Sequence, residues 1–228
     1  DQLWRSLTPL YEAGEAKAIV RLLMKELFDF SLTDLCCGAV ERLSAAQLQR
    51  LHGAHQRLLD AEPIQYVLGN ATFCDRSFKV NPSVLIPRPE TEELCQWVIE
   101  EEKKNRQTLS SSPQLLDLCT GSGCIAITLN LSIPHSEVMG IDISDKALSV
   151  AKQNALQLKA PNIVFDQEDV IQLEKSVEKL HETSDKQIKE YRAACDMIVS
   201  NPPYICNKEK ADMAKNVLDH EPSIALFV

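Results

Sequence analysis

No apolar run in this chain approaches the ~20 residues that a membrane-spanning helix requires, so membrane association through such a helix is not expected. There is also no C-x-x-C pair. Eight cysteines, Cys36, Cys37, Cys74, Cys95, Cys119, Cys124, Cys195 and Cys206, are scattered instead. Metal chelation by sulfur needs ligands at close, repeated spacing, so no zinc site is expected. Cys119 and Cys195 lie in or beside apolar runs, where a thiol behaves as a small hydrophobe. The pattern suits a reducing compartment. A basic excess is missing too: 33 acidic residues stand against 24 basic ones, a net charge of -9. Proteins that track long nucleic acids normally carry a basic face, so stable nucleic-acid binding is not expected. The opening residues Asp1-Gln2-Leu3-Trp4 have neither a secretory nor a transit-peptide pattern, and they lack an initiator Met. The expectation is that a leader was removed ahead of them.

What is present is a globular composition, 44% hydrophobic and 25% charged over 228 residues. That length accommodates one ordinary domain and a smaller one. Residues 1–60 read as helices. Leu10, Ile19, Leu22, Leu23 and Leu27 recur near helical spacing. Ser44 and Gln47 form the capping-box pattern of a helix that ends near Asp60. Residues 61–88 read as a linker built on a β-hairpin. Gln65-Tyr66-Val67-Leu68 and Ala71-Thr72-Phe73 are its strands around Gly69-Asn70, and Phe78-Lys79-Val80 extends it. Pro89 and Glu90 open a helix through Trp97, and Asn105 to Pro113 is a polar linker. From Gln114 the chain alternates strands at 114–119, 137–143, 162–166 and 196–200 with helices at 123–131, 145–158 and 171–190. Such alternation predicts a parallel, doubly wound α/β sheet over residues 89–228.

Two loops of that sheet carry chemistry. The first strand ends in Asp117-Leu118-Cys119-Thr120-Gly121-Ser122-Gly123, and Gly121-x-Gly123-x-x-Ala126 fits G-x-G-x-x-G/A. Glycines there let a ligand approach the backbone at a helix N-terminus. Asp142 closes the second strand 21 residues after Gly121, the spacing of an acid that accepts ribose hydroxyls. It is expected at an exposed strand end. This pattern does not separate nicotinamide dinucleotides from S-adenosylmethionine. Asp169, after the third strand, is placed either to meet an adenine amine or to cap a helix.

The fourth strand runs into Asn201-Pro202-Pro203-Tyr204. Neither proline can donate to a sheet ladder, and each fixes φ, so the strand ends in a stiff turn. The Asn201 side chain and the Pro202 carbonyl make a rigid pair of acceptors beside a Tyr ring. Such a pair suits a planar –NH2 group held by both hydrogens. An amide nitrogen is a poor nucleophile because its lone pair is delocalised, and acceptors off its plane favour the pyramidal form.

Taken together the motifs resemble the HemK/PrmC family, the release-factor glutamine methyltransferases. The matching stretches are Tyr66-Val67-Leu68-Gly69, Val84 to Glu92 (V-L-I-P-R-P-E-T-E), Asp117 to Gly123, Asp142-Ile143-Ser144 and Val199 to Tyr204. The resemblance implies a Rossmann-like class I methyltransferase sheet behind a small helical substrate-docking domain. It implies S-adenosylmethionine over Cys119, Thr120, Gly121, Ser122 and Gly123, with Asp142, Asp169, Val170 and Asn201 also in contact. It implies that Asn201 and Pro202 hold a glutamine amide, with Pro203 beside it and Tyr204 against its plane. Arg88, Glu90 and Glu92 are then expected to shape the crevice wall or dock substrate. The substrate implied is the Gly-Gly-Gln glutamine of a class I peptide-chain release factor. N-P-P-Y is shared with adenine-N6 methyltransferases, which leaves a nucleic-acid substrate as one alternative. A cofactor-binding module without turnover is another. Family members continue beyond the point where Ile224 to Val228 stops, so the last strands of the sheet are expected to be missing. The eight cysteines and the charged 171–190 stretch suggest a mitochondrial member if the source is eukaryotic, and a cytoplasmic one otherwise.

Overall fold

A computed structural model describes residues 2–105, 112–170 and 195–227. The expected helix at 171–190 and most of the polar linker before Gln114 lie outside these. The chain forms two compact units, Asp1–Asn70 with Lys210–His220, and Ala71–Glu209 with Glu221–Val228.

The first unit is helical. Its longer helices are Ala13–Phe28 and Ala45–Leu59. The capping box read from the sequence is formed. The Gln47 N–H donates to the Ser44 hydroxyl, and the Ser44 N–H donates to Gln47 Oε1 at 2.9 Å. The core comprises Leu7, Leu23, Met24 and Leu58, each almost fully buried. The segment Lys215–His220 belongs here, tied by a His220 ring nitrogen donating to the Asp60 carbonyl at 3.1 Å.

One expected strand is a helix. Ile64–Leu68 forms a short α-helix that starts after Pro63 and ends at Gly69, whose φ of 77° only glycine adopts without strain. The Arg57 guanidinium decides the matter. It donates to the carbonyls of Tyr66 and Val67, the groups a helix end leaves unpaired, while it also pairs with Glu62. Ile64, Val67 and Leu68 pack on the helical core.

The hairpin therefore lies later, between β1 (Asn70–Phe73) and β2 (Arg76–Lys79). Its two-residue turn, Cys74-Asp75, holds both residues at positive φ, 45° and 60°, as tight hairpin turns demand. Phe73 and Phe78 meet edge to face inside, with ring centres 6.0 Å apart.

The second unit is built on a parallel sheet of β3 (Gln114–Leu118), β4 (Glu137–Asp142), β5 (Ile163–Gln167) and β6 (Met197–Ser200). Their order is β5-β4-β3-β6. The order reverses between β3 and β6, and the carboxyl ends of those two strands open a crevice there. On one face, Leu115, Val138 and Val199 meet the apolar helix Cys124–Ser132 and the hairpin phenylalanines. Leu116, Met139 and Ile141 face the other way. The helices Pro89–Asn105 and Asp145–Leu158 complete the described layers.

Candidate active site

A cavity of about 480 Å³ lies at the carboxyl edge of the sheet. Its walls come from the loops after β3, β4, β5 and β6, from residues 83–91, and from Ile224, Ala225 and Phe227. Its size is that of a pocket for a cofactor-sized ligand.

The glycine loop forms one wall. Cys119, Thr120, Gly121 and Ser122 line the cavity, and Gly121 sits at φ 53°, where an added Cβ would meet only the Cys119 carbonyl oxygen, at 4.0 Å. Gly123, expected to join them, is not on the wall. It caps the following helix at φ 78°, and an added Cβ would come within 3.0 Å of Ile127 and 3.1 Å of Ala151. Its smallness serves helix packing rather than ligand contact. The loop is braced from behind by Asn154, which is fully buried. The Asn154 side chain accepts from the Lys79 N–H and donates to the carbonyls of Lys79 and Ser122. No motif pointed to Asn154.

Asp142 also lines the cavity, but it is buried rather than exposed, at 9% of its surface. Its carboxylate accepts the Gly121 N–H at 2.8 Å and the Ser144 N–H at 2.9 Å. It therefore shapes the glycine loop while facing the ligand space. Asp169 and Val170 stand on the same wall.

Beneath the loop lies Asp117, fully buried. Burial pushes its carboxyl up to about 7, against the Thr120 hydroxyl at 2.6 Å and the Ala126 N–H at 3.1 Å, which favour the charged form. The negative Asp142 adds to the rise. Both donors bind Oδ2, and Oδ1 has no partner among the described residues.

The opposite wall carries Asn201, Pro202 and Pro203. The Ser200 hydroxyl donates to the Leu118 carbonyl at 2.9 Å, which ties the ends of β6 and β3. Burial alternates along the motif. Asn201 and Pro203 are half-buried, whereas Pro202 and Tyr204 are exposed. Tyr204 is 74% exposed and does not line the cavity.

Residues 84–91 form the third wall. Arg88 lines it, and its guanidinium meets Glu221 at 2.5 Å. Glu221 is buried and also accepts the Ile86 N–H at 3.3 Å. Glu90 is exposed in the first helical turn and does not reach the cavity. There a carboxylate complements the helix dipole. Glu92 turns toward the hairpin and accepts the Cys74 N–H. Thr91 lines the cavity and takes the Asn201 amide N–H on its hydroxyl at 3.2 Å. Thr91 and Glu221 were not singled out by motif reading, because their partners lie 110 and 133 residues away.

Residues 7–69 match the PrmC N-terminal domain family, and residues 109–222 match a methyltransferase domain family. A release factor glutamine methyltransferase of Bacteroides thetaiotaomicron is 40% identical over 98% of this chain and 73% of its own length. The chain belongs to the release factor glutamine methyltransferase family. A member from Flavobacterium psychrophilum is 37% identical over 100% of this chain and 73% of its own length. A Bacillus subtilis member is 38% identical over 95% and 70% respectively. With this family's cofactor, S-adenosylmethionine, the cavity is chemically consistent. It offers open backbone at Gly121, carboxylates at Asp142 and Asp169, and apolar walls at Val84, Leu85 and Ile143.

Proposed function

We propose that the protein methylates the side-chain amide nitrogen of the glutamine in a Gly-Gly-Gln segment of a class I peptide-chain release factor. The observation that carries this reading is one cavity lined by both the glycine loop with Asp142 and the acceptors of Asn201 and Pro202. The relatives named above are release factor glutamine methyltransferases, which supports the substrate class.

Thr120 to Ser122, Asp142, Asp169 and Val170 would hold S-adenosylmethionine, which supplies an electrophilic methyl group when bound. Asn201 Oδ1 and the Pro202 carbonyl would accept the two hydrogens of the glutamine amide. Held off the amide plane, they favour a pyramidal nitrogen and free its lone pair. No strong base is required, because the nitrogen becomes acidic once it bears the methyl group. Positioning then supplies most of the rate. Arg88, held by Glu221, borders the substrate side. Tyr204, being exposed, is suited to contact the incoming protein rather than to stack on the amide from within.

A release factor needs more surface than the cavity, on the order of 1,200 Å² or more in total. The helical unit is the proposed docking surface. The mitochondrial placement rests only on the eight cysteines and the charged 171–190 stretch, and organelle fractionation tests it.

The deciding experiment incubates the protein with S-adenosylmethionine and an intact release factor, followed by mass spectrometry. A single added methyl group on the Gly-Gly-Gln glutamine is expected. Transfer to an adenine-containing oligonucleotide, with none to the factor, would overturn the assignment.

A further inference from the structure

Resting on that reading, the geometry points to Thr91 as the residue that anchors the Asn201 side chain. We infer that Thr91 is a positioning residue for the methyl-accepting site. An asparagine side chain has a donor end and an acceptor end of nearly equal size, and rotation about its last torsion exchanges them. Only one orientation serves a substrate –NH2 group. With Oδ1 toward the cavity, acceptor meets donor. With Nδ2 toward it, two –NH2 groups face each other and the grip is lost.

In the structure the Nδ2 end is the one joined to Thr91. Asn201 Nδ2 donates to Thr91 Oγ1 at 3.2 Å. Among the described residues, Asn201 Oδ1 accepts no hydrogen bond and is free for a ligand. Both residues line the cavity.

Thr91 is itself well fixed. It is 6% exposed and sits in the first turn of the helix Pro89–Asn105. Its backbone N–H donates to the Arg88 carbonyl at 3.0 Å. A β-branched side chain in a helix has few χ1 choices, so its hydroxyl has few places to go. The rigid helix thus reads out on a loop that the prolines have already stiffened. Valine at this position would keep the shape and remove the acceptor, leaving the Asn201 –NH2 group without its partner.

The test compares wild type, Thr91→Val and Thr91→Ser for methylation of a short Gly-Gly-Gln peptide, with calorimetry of S-adenosylhomocysteine binding on each. Thr91→Val is expected to lower kcat about 10-fold or more, since small displacements of a reacting group carry losses up to ~10²-fold. Its affinity for S-adenosylhomocysteine should stay within about two-fold of wild type. Thr91→Ser, which restores the hydroxyl without the methyl group, should recover most of kcat. Wild-type kcat in Thr91→Val overturns the proposal. So does a loss in Thr91→Ser as deep as in Thr91→Val, which would mark a packing role, and so does a parallel loss of cofactor affinity. A wild-type protein that methylates no peptide overturns the functional reading beneath it, which sets that failure apart from the failure of Thr91.

Discussion

Asp142 does two jobs with one carboxylate. It faces the ligand space, and it accepts the N–H groups of Gly121 and Ser144. Asp142→Ala should therefore weaken S-adenosylmethionine binding by roughly 1–3 kcal/mol, the range for a hydrogen bond to a charged group. It should also lower Tm, because two N–H groups lose their acceptor. Calorimetry and thermal melts read the two effects separately, and unchanged affinity would remove Asp142 from the cofactor site. Asn201→Ala is expected to spare cofactor binding and to lower turnover by about 10²–10³, the typical loss for one preorganised polar group. A burst or steady-state assay on the Gly-Gly-Gln peptide checks this. Asp117 gives a pH signature. Folded, its carboxyl holds a proton up to about pH 7. Unfolded, it does so only up to about pH 4. The folded state binds the extra proton between these values, so the contribution of Asp117 is fully present below about pH 4 and is lost as pH rises through about 7. Denaturant titrations between pH 5 and 8 should show stability falling with pH, and Asp117→Asn should flatten that slope.

At the scale of elements, the glycines divide by duty. Gly121 lines the cavity, whereas Gly123 and Gly140 give neighbours room. A Cβ on Gly140 would fall 2.7 Å from the Phe165 ring and 2.8 Å from Thr120 Oγ1. Gly140→Ala should cost about 1–3 kcal/mol of stability through overpacking. It should also disturb the glycine loop through Thr120, so cofactor affinity should fall with it. Denaturation midpoints and calorimetry on the same variant check both. Where elements had strong local signals, the sequence was readable. The helix Asp145–Leu158 and the capping box at Ser44 are where spacing put them. Ile64–Leu68 was not, because an apolar run of four or five residues suits strand and helix alike. Arg57, from a different helix, supplies the donors that settle it.

The molecule as a whole consists of a helical unit and a sheet unit. The docking role proposed for the helical unit predicts a difference between two substrates. Leu32 and Leu48 are 56% and 46% exposed on it. Leu32→Ser with Leu48→Ser should lower kcat/KM for the intact release factor while leaving the short peptide unaffected. Equal rates on the intact factor would refute docking at that surface.

The sequence alone determined the parallel sheet, the glycine loop, Asp142 and the stiff turn at Asn201, because each is written in residues close together along the chain. Tertiary structure decided which of them meet and what holds them. Thr91 reaches Asn201, Glu221 reaches Arg88, and Asn154 braces Ser122. These are contacts between side chains far apart in sequence, and no local pattern encodes them. Burial did the rest. It made Asp142 a brace for the glycine loop as well as part of the cavity wall, and it left Tyr204 outside, because only the folded chain assigns each side chain to water or to the cavity.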